Sequence, residues 1–177
     1  MSEDSDGSDE DGNRRTHVFR DPDDRDRVGA ATGGAIARAF AREGLIACVN
    51  RRARNADKLE ELAQSIRDEG HQAIAMPGDA REEEEMAALV DKVEAEAGPL
   101  AVAVFNIGAN VNFSITETSA RVYRKVWEMA AFAGFLMGRE VARHMVQRQR
   151  GTIIFTGATA SIRGGSGFAA LSGAKAA

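Results

Sequence analysis

Three glycines near residue 30 could let the chain hold a phosphate group. Gly29, Gly33 and Gly34 lie in the stretch VGAATGGAIA, at the entrance of a segment with helical spacing. Glycine allows the backbone to approach a pyrophosphate closely, and the free N–H groups at a helix start can bind its oxygens. An apolar strand normally precedes such a site, whereas residues 20–27 here read as a charged loop. The glycines therefore predict a dinucleotide site that lacks its usual strand context.

A second group of polar residues closes the apolar run LIACVN. Asn50, Arg51 and Arg52 lie at its end, where an acidic residue would accept hydrogen bonds from a ribose 2′-hydroxyl. Arginine instead favours a 2′-phosphate, so these residues predict NADP, with NAD less favoured. The alternative left open is that Arg51 and Arg52 are solvated loop residues.

Two further positions follow the next two apolar runs. Asp79 and Ala80 follow HQAIAMPG, and the carboxylate there could accept a hydrogen bond from an adenine amino group. Asn106 and Gly108 follow LAVAVF and would form a tight turn beside a cofactor. Because ligands of parallel sheets bind at the carboxyl ends of the strands, these residues are expected to line one groove.

The elements that would position these residues alternate along the chain. Strands are predicted at 45–50, 71–79, 100–106 and 151–157, and helices at 33–44, 55–70, 81–98, 120–149 and 168–177. Asn55 is a candidate N-cap, and Gly44 and Gly70 are candidate helix stops. Apolar strands separated by helices predict right-handed β-α-β units, and thus an α/β fold with a parallel sheet covered on both faces.

Composition narrows the class of protein further. The 177 residues suffice for one domain, and the single cysteine, Cys48, excludes a disulfide framework and is expected to be a buried strand residue. The three histidines have no ligand spacing, so no metal site is predicted. No run is long enough to span a bilayer and no secretory signal is visible, so a cytoplasmic protein without membrane contact is expected.

Charge is unevenly distributed. Residues 1–27 contain ten acidic residues and five arginines, which predicts an acidic and disordered tail for solubility or partner binding. Residues 28–177 are nearly neutral and would form the folded domain. No basic stripe is interleaved with aromatic residues, so nucleic acid is not an expected partner.

The order of these motifs resembles the short-chain dehydrogenase/reductase family. The Gly-rich turn, VNRR, GDA, NIGAN, GTIIFTGATAS and a final helix with a lysine follow the family's order over residues 28–177. The resemblance implies a Rossmann-like doubly wound sheet and an ancestral NAD(P)-dependent oxidoreduction of a carbonyl or alcohol. It puts the first glycines in a phosphate-binding turn, here about two residues short, Asp79 at the adenine and Lys175 at the nicotinamide ribose. It also implies a homo-oligomer formed through the long helix 120–149.

Three positions depart from the family pattern. Leu171 stands where the family has a tyrosine four residues before Lys175, Ala158 stands at a serine, and Ala130 stands at an asparagine. Hydride transfer to a carbonyl needs a proton for the developing alkoxide, and none of these three side chains can supply one. Loss of the general acid alone costs about 10²–10⁴-fold in rate, so turnover is expected to be slow or absent.

Few other residues could take over these roles. Ser161 is a candidate hydroxyl for binding a carbonyl, with a turn or cap role as its alternative. Tyr123, the single tyrosine, has the spacing of a packing residue on the long helix. Lys175 could still contact a ribose without the tyrosine.

The resemblance also implies an incomplete sheet. Its first strand is degenerate and its last two strands are absent, because family members continue beyond the lysine helix. Residues 17–19 or 26–30 must fill the central slot, or the monomer is marginally stable, since each buried unpaired backbone group costs about 1–3 kcal/mol. Three interpretations remain: a weak or inactive NADP-binding oxidoreductase, a non-catalytic dimerising nucleotide-binding or interaction protein, and an incomplete reading frame without a stable product.

Overall fold

The computed structural model describes residues 16–20, 27–108 and 111–177, with side chains described from Thr32 onward. The strands are β1 (Thr16–Arg20), β2 (Ile46–Arg51), β3 (Ala73–Pro77), β4 (Leu100–Phe105) and β5 (Thr152–Phe155). The helices are α1 (Arg27–Arg42), α2 (Ala56–Asp68), α3 (Glu83–Glu96), α4 (Ala120–Trp127), α5 (Ala133–Gln147), α6 (Thr159–Arg163) and α7 (Ala169–Ala176).

The five strands form one parallel sheet in the order β3-β2-β1-β4-β5. β1 takes the central slot, where Val18 pairs with Cys48 on β2 and with Ala103 on β4. Of the alternatives for that slot, residues 17–19 therefore fill it. The strand lies inside the range 1–27 that was expected to be a tail, and residues 1–15 and 21–26 lie outside the described part. The sequence indicated this strand only weakly because few residues of β1 are apolar. Its position depends instead on backbone pairing with β2 on one side and β4 on the other.

Helices cover both faces of the sheet, as the α/β pattern predicts. Ala47 and Val49 pack with α1 and α2 on one face. On the other face Cys48 and Phe105 pack with α3 and α5. Burial raises the pKa of the Cys48 thiol to about 12, with a smaller contribution from the charge of Glu96, so Cys48 is a core residue as expected.

The first helix begins earlier than the sequence predicts. Because α1 starts at Arg27, only Gly29 lies in its first turn, and Gly33 and Gly34 lie farther inside the helix. The prediction that all three glycines stand at a helix entrance is therefore wrong. A Cβ on Gly34 would lie 3.2 Å from a methyl of Leu62, so this glycine lets α1 and α2 approach. The helix continues through Gly33 and Gly34 because each glycine lowers helix stability by only about 1 kcal/mol relative to alanine, and the neighbouring alanines favour the helix.

The predicted helix 120–149 is continuous but not uniform. A π-helical segment, Glu128–Phe132, joins α4 to α5. Such segments are uncommon and are frequent at functional sites. α4 and the π segment pack against α7 through a small apolar cluster with the members Val126, Ala130, Ala170 and Ala174.

The predicted helix stops are confirmed, whereas the candidate N-cap makes no capping hydrogen bond. Gly44 and Gly70 have φ values of 83° and 85° and follow the ends of α1 and α2, as expected of helix stops. Asn55 precedes α2, but its side chain makes no capping hydrogen bond. The short helix α6 was not predicted. None of the described helices is long and apolar enough to cross a membrane.

Candidate active site at the carboxyl ends of the strands

Helix α7 carries Lys175 to the carboxyl ends of β4 and β5. The Lys175 Nζ donates a hydrogen bond to the carbonyl oxygen of Thr156 at 2.8 Å and lies 5.6 Å from the centroid of the Phe105 ring. The Thr156 N–H donates to the Phe105 carbonyl oxygen, which extends the pairing of β4 with β5 to this point. Burial lowers the pKa of the Lys175 amine. Within the described residues, no carboxylate forms an ion pair with it.

Apolar residues occupy the three positions that the resemblance assigns to catalytic side chains. Leu171 is half-buried on α7, one turn before Lys175 and on the same helix face. Ala158 lies directly before α6. Ala130 is buried in the π segment and belongs to the same cluster as Ala170. None of the three can donate or accept a side-chain hydrogen bond.

Two hydroxyl-bearing side chains near α7, Ser161 and Tyr123, make turn and packing contacts. Ser161 Oγ donates to the carbonyl oxygen of Ala158 at 2.6 Å, which fits the turn role that the sequence left open. A Cβ on Gly173 would lie 2.3 Å from the Tyr123 hydroxyl oxygen. Tyr123 therefore packs directly on α7, in agreement with the packing role predicted for it.

The end of β2 is more ordered than a solvated loop. Asn50 is 1% exposed, and its amide nitrogen donates to the carbonyl oxygens of Met76 at 2.7 Å and Gly78 at 3.3 Å. This amide nitrogen therefore ties β2 to β3. Arg51 is the last residue of β2 and 6% exposed, so the solvated-loop alternative is wrong for it. Arg52 is half-buried in the following turn.

The end of β3 carries a local ion pair. The Asp79 carboxylate accepts hydrogen bonds from the Arg81 guanidinium, with distances from 2.5 to 3.2 Å. Hydrogen bonding to Asp79 raises the pKa of Arg81. Ala80 is buried beside it. The oxygen predicted to face an adenine amino group thus already has a partner within the chain.

The end of β4 agrees with its predicted position. Asn106 is buried directly after the strand, and Gly108 is half-buried two residues later. They lie at the same sheet edge as Lys175, Arg51 and Asp79, so the fold brings the predicted strand-end residues together. The glycines of α1 are the exception, because two of the three are inside the helix.

Sequence reasoning missed a charged groove next to Asp79. An open groove of about 950 Å³ lies between the start of α3 and α5. Arg139 there binds the carboxylates of Glu83 at 2.6 Å and Glu140 at 2.7 Å, and Glu140 is buried. Residues 81–86 lie in the predicted helix 81–98, and nothing in that stretch indicates the arginines of α5 that face it. In the described part of the chain no three His, Cys, Asp or Glu residues are grouped as metal ligands.

The parallel sheet covered by helices, with polar residues at its carboxyl edge, is a Rossmann-like α/β fold. The family model described as short chain dehydrogenase matches residues 28–177. The chain belongs to this oxidoreductase family, whose members bind a nicotinamide cofactor.

Individual relatives agree with this assignment. A crystal structure of a short-chain dehydrogenase from Rhodopseudomonas palustris is 48% identical, with a TM-score of 0.80 over 92% of this chain and 72% of that chain. Cis-4-hydroxycyclohexanecarboxylate dehydrogenase from Sinomonas cyclohexanicum is 32% identical over 84% of this chain. An actinorhodin polyketide ketoreductase with NADPH is 25% identical, with a TM-score of 0.81 over 92% of this chain and 60% of that chain. The chain spans 60% of the length of the Sinomonas enzyme.

Proposed function

We propose that this chain binds NADP at the carboxyl edge of its sheet and oxidises or reduces an alcohol or carbonyl slowly or not at all. The observation that carries the proposal is that a leucine, and not a proton-donating residue, occupies the helical turn before Lys175. Lys175 reaches the strand ends, while Leu171 occupies the preceding turn of its helix. Lys175 can bind a ribose, but its amine donates to the Thr156 carbonyl oxygen and Leu171 offers no hydroxyl through which a proton could pass to the substrate.

The residues fit a nicotinamide nucleotide better at one end than at the other. The Lys175 amine, with one backbone acceptor and no carboxylate, suits a ribose hydroxyl. Arg51 ends β2 and Arg52 follows it, at the place where a 2′-phosphate would bind, which favours NADP. At the adenine end the Asp79 carboxylate is bonded to Arg81, and α1 is helical through Gly33. We therefore infer that binding is weaker than in a typical family member.

When bound, the cofactor supplies a hydride, and the remaining chemistry depends on this chain's own side chains. Lys175 would orient the ribose, and Asn106 and Gly108 would form the wall of the groove. The alkoxide that develops on a carbonyl substrate meets Leu171 and Ala158, which offer no hydrogen bond. The negative charge is therefore left unstabilised in the transition state, which is the physical reason for slow turnover.

The proposal is tested by titrating the purified chain with NADPH and NADH and by measuring NADPH oxidation with a panel of carbonyl compounds. We expect NADPH to bind more tightly than NADH, and Lys175→Ala to weaken binding. Lys92→Ala is the matched control, because Lys92 is exposed and forms only a 3.9 Å pair with Glu96. Rapid NADPH oxidation that is abolished by Lys175→Ala would contradict the proposed slow or absent turnover. A chain that binds neither NADPH nor NADH would contradict the whole proposal.

A second function is supported by an aromatic stack on the long helix. The Trp127 and Phe132 rings lie 5.9 Å apart, and the Phe132 and Phe135 rings lie 6.2 Å apart. Trp127 is 39% exposed and Phe135 is 57% exposed. Exposed aromatic side chains in one row are typical of interaction surfaces. We infer from this a non-catalytic protein that forms a homo-oligomer through the long helix.

Sedimentation velocity separates these two functions. We expect Phe135→Ser to shift an oligomer towards monomer, whereas Val146→Ser, at a 72% exposed position of the same helix, leaves it unchanged. Oligomer without NADPH binding favours the second function. A monomer at all concentrations rules it out.

A further inference from the structure

Lys175 differs in its surroundings from every other lysine of the chain. The sequence contains four lysines, and Lys58, Lys92 and Lys125 are exposed, whereas Lys175 is half-buried. Its amine has the Thr156 carbonyl oxygen as acceptor and no carboxylate partner among the described residues. An amine that is partly desolvated and not paired with an acid is the kind of lysine that acts as a nucleophile towards carbonyl carbon.

The surroundings of this amine are aromatic and aliphatic. Its Nζ lies 5.6 Å from the centroid of the buried Phe105 ring, and that ring lies 6.0 Å from the Phe155 ring. Phe155 is 55% exposed, so the apolar surface continues outward from the amine to solvent. Leu171, one helical turn before Lys175, adds an aliphatic side chain to the same helix face. These side chains would favour an apolar compound over a charged one.

We propose that Lys175 condenses with apolar aldehydes or ketones to form an imine. The uncharged Nζ attacks the carbonyl carbon, and a proton moves from nitrogen to oxygen to give a carbinolamine. Loss of water then leaves a carbon–nitrogen double bond, so the step consumes no oxidant or reductant. Burial, which lowers the pKa of Lys175, increases the uncharged fraction that can attack. This reaction does not require that NADP binds, although both use the same amine.

The inference is tested by reductive trapping with hexanal and sodium borohydride on the purified full chain. Borohydride converts the imine to a stable secondary amine, and peptide mass spectrometry then reports modification at each lysine separately. We expect Lys175 to be modified several-fold faster than Lys92, Lys58 and Lys125. Equal rates at all four, or faster modification of the exposed lysines, would overturn the inference. This comparison is made within one molecule and does not depend on a variant that folds.

Two further experiments test which lysine reacts and which carbonyl compounds it prefers. Lys175→Arg keeps a cation but cannot form an imine, so the fast phase of modification should disappear, whereas Lys92→Arg should retain it. Glyoxylate in place of hexanal tests the preference for an apolar carbonyl. A larger ratio of Lys175 to Lys92 modification with glyoxylate than with hexanal would overturn the assignment to apolar compounds.

NADPH separates this inference from the proposed function. Protection of Lys175 from hexanal by NADPH supports both, because it shows that the nucleotide and the carbonyl compete for one amine. Trapping that NADPH does not slow leaves the imine in place and contradicts the proposed contact of Lys175 with the cofactor. Absence of selective trapping contradicts the imine alone.

Discussion

At the residue scale, the proposed function depends on the side chain at position 171. Leu171 and Lys175 lie one turn apart on α7 at the strand ends, and the leucine cannot donate a proton to a developing alkoxide. Leu171 also stands at the position where the family resemblance implies a tyrosine hydroxyl beside the Lys175 amine. We therefore trace both the proposed slow turnover and the proposed imine chemistry of Lys175 to this one position.

Restoring the missing hydroxyls should restore activity. We expect the double variant Leu171→Tyr/Ala158→Ser to reduce carbonyl compounds about 10²–10⁴-fold faster than the natural chain, because a general acid is worth that much. NADPH oxidation measures the gain. Leu171→Phe/Ala158→Ser supplies a ring of similar size without the hydroxyl and is the control. Equal rates for the two variants would show that the hydroxyl at 171 is not the missing group.

The buried carboxylate of Glu140 should matter more to stability than its exposed neighbour. Glu140 is 4% exposed and accepts hydrogen bonds from Arg139 and Arg143 at 2.7 and 2.5 Å. We expect Glu140→Gln to lower the free energy of unfolding by about 1–3 kcal/mol, since it weakens buried charge-assisted bonds.

Glu83→Gln is the control for that experiment. The Glu83 side chain binds the same Arg139 but is 61% exposed, so its loss should cost at most about 1 kcal/mol. Urea unfolding with both variants gives the two values. An equal loss for Glu83→Gln would contradict the role given to burial.

At the scale of elements, helix α5 supports the site through two glycines one turn apart. A Cβ on Gly134 would lie 3.1 Å from the ring of Phe105, and a Cβ on Gly138 would lie 3.1 Å from the ring of Phe155. Phe105 is buried, whereas Phe155 is 55% exposed and free to move outward. The same added methyl group therefore meets a fixed ring in one case and a movable ring in the other.

This difference predicts opposite effects of one substitution. We expect Gly138→Ala to raise the free energy of unfolding by about 0.5–1 kcal/mol through helix propensity. Gly134→Ala should lower it, because overpacking costs about 1–3 kcal/mol and displaces the ring beneath Lys175. Thermal unfolding of both variants measures the pair, and a loss of stability with Gly138→Ala would contradict the argument.

At the scale of the whole molecule, hydrogen bonds and ion pairs that connect the sheet to the helices covering it contribute to stability. Glu94 on α3 accepts from Arg148 at 2.7 and 2.8 Å and from the Leu100 N–H at 2.9 Å, which joins the ends of α3 and α5 to the start of β4. Burial raises the pKa of Glu94, but these hydrogen bonds together with the positive charge of Arg148 lower it more, so the pKa lies below its usual value of 4.5.

The direction of this pKa fixes the pH dependence. A carboxyl group whose pKa is lower in the folded state stabilises the fold above the unfolded-state pKa, and this stability is lost as the pH falls through the folded-state value. We expect Arg148→Ala to reduce stability at neutral pH and to flatten its fall below pH 4.5. Urea unfolding across that range is the measurement, with Lys92→Ala as the control. If Arg148→Ala lost stability below pH 4.5 as steeply as the natural chain does, the role given to the Glu94–Arg148 pair would be contradicted.

The sequence predicted the elements that have strong local signals. Strands 45–50, 71–79, 100–106 and 151–157 are all present near their predicted bounds, because each contains a short run of apolar residues between turn or helix signals. Burial differs among them, since β2 is buried along its whole length whereas β5 is mostly exposed. The helix stops at Gly44 and Gly70 were predictable because a positive φ favours glycine. The first strand was not, since its place depends on pairing with β2 and β4 rather than on its own composition.

The candidate site divides in the same way. Sequence alone determined which side chains are available: Lys175 is present, and Leu171, Ala158 and Ala130 stand at the three positions to which the family resemblance assigns hydroxyl or amide groups. Only the tertiary structure decided how the remaining polar groups are used. It pairs Asp79 with Arg81, turns the Asn50 amide nitrogen towards β3 and draws Gly33 and Gly34 into α1. The reason is that a residue's type fixes what it can donate or accept, whereas its partner is fixed by packing between segments far apart in the chain.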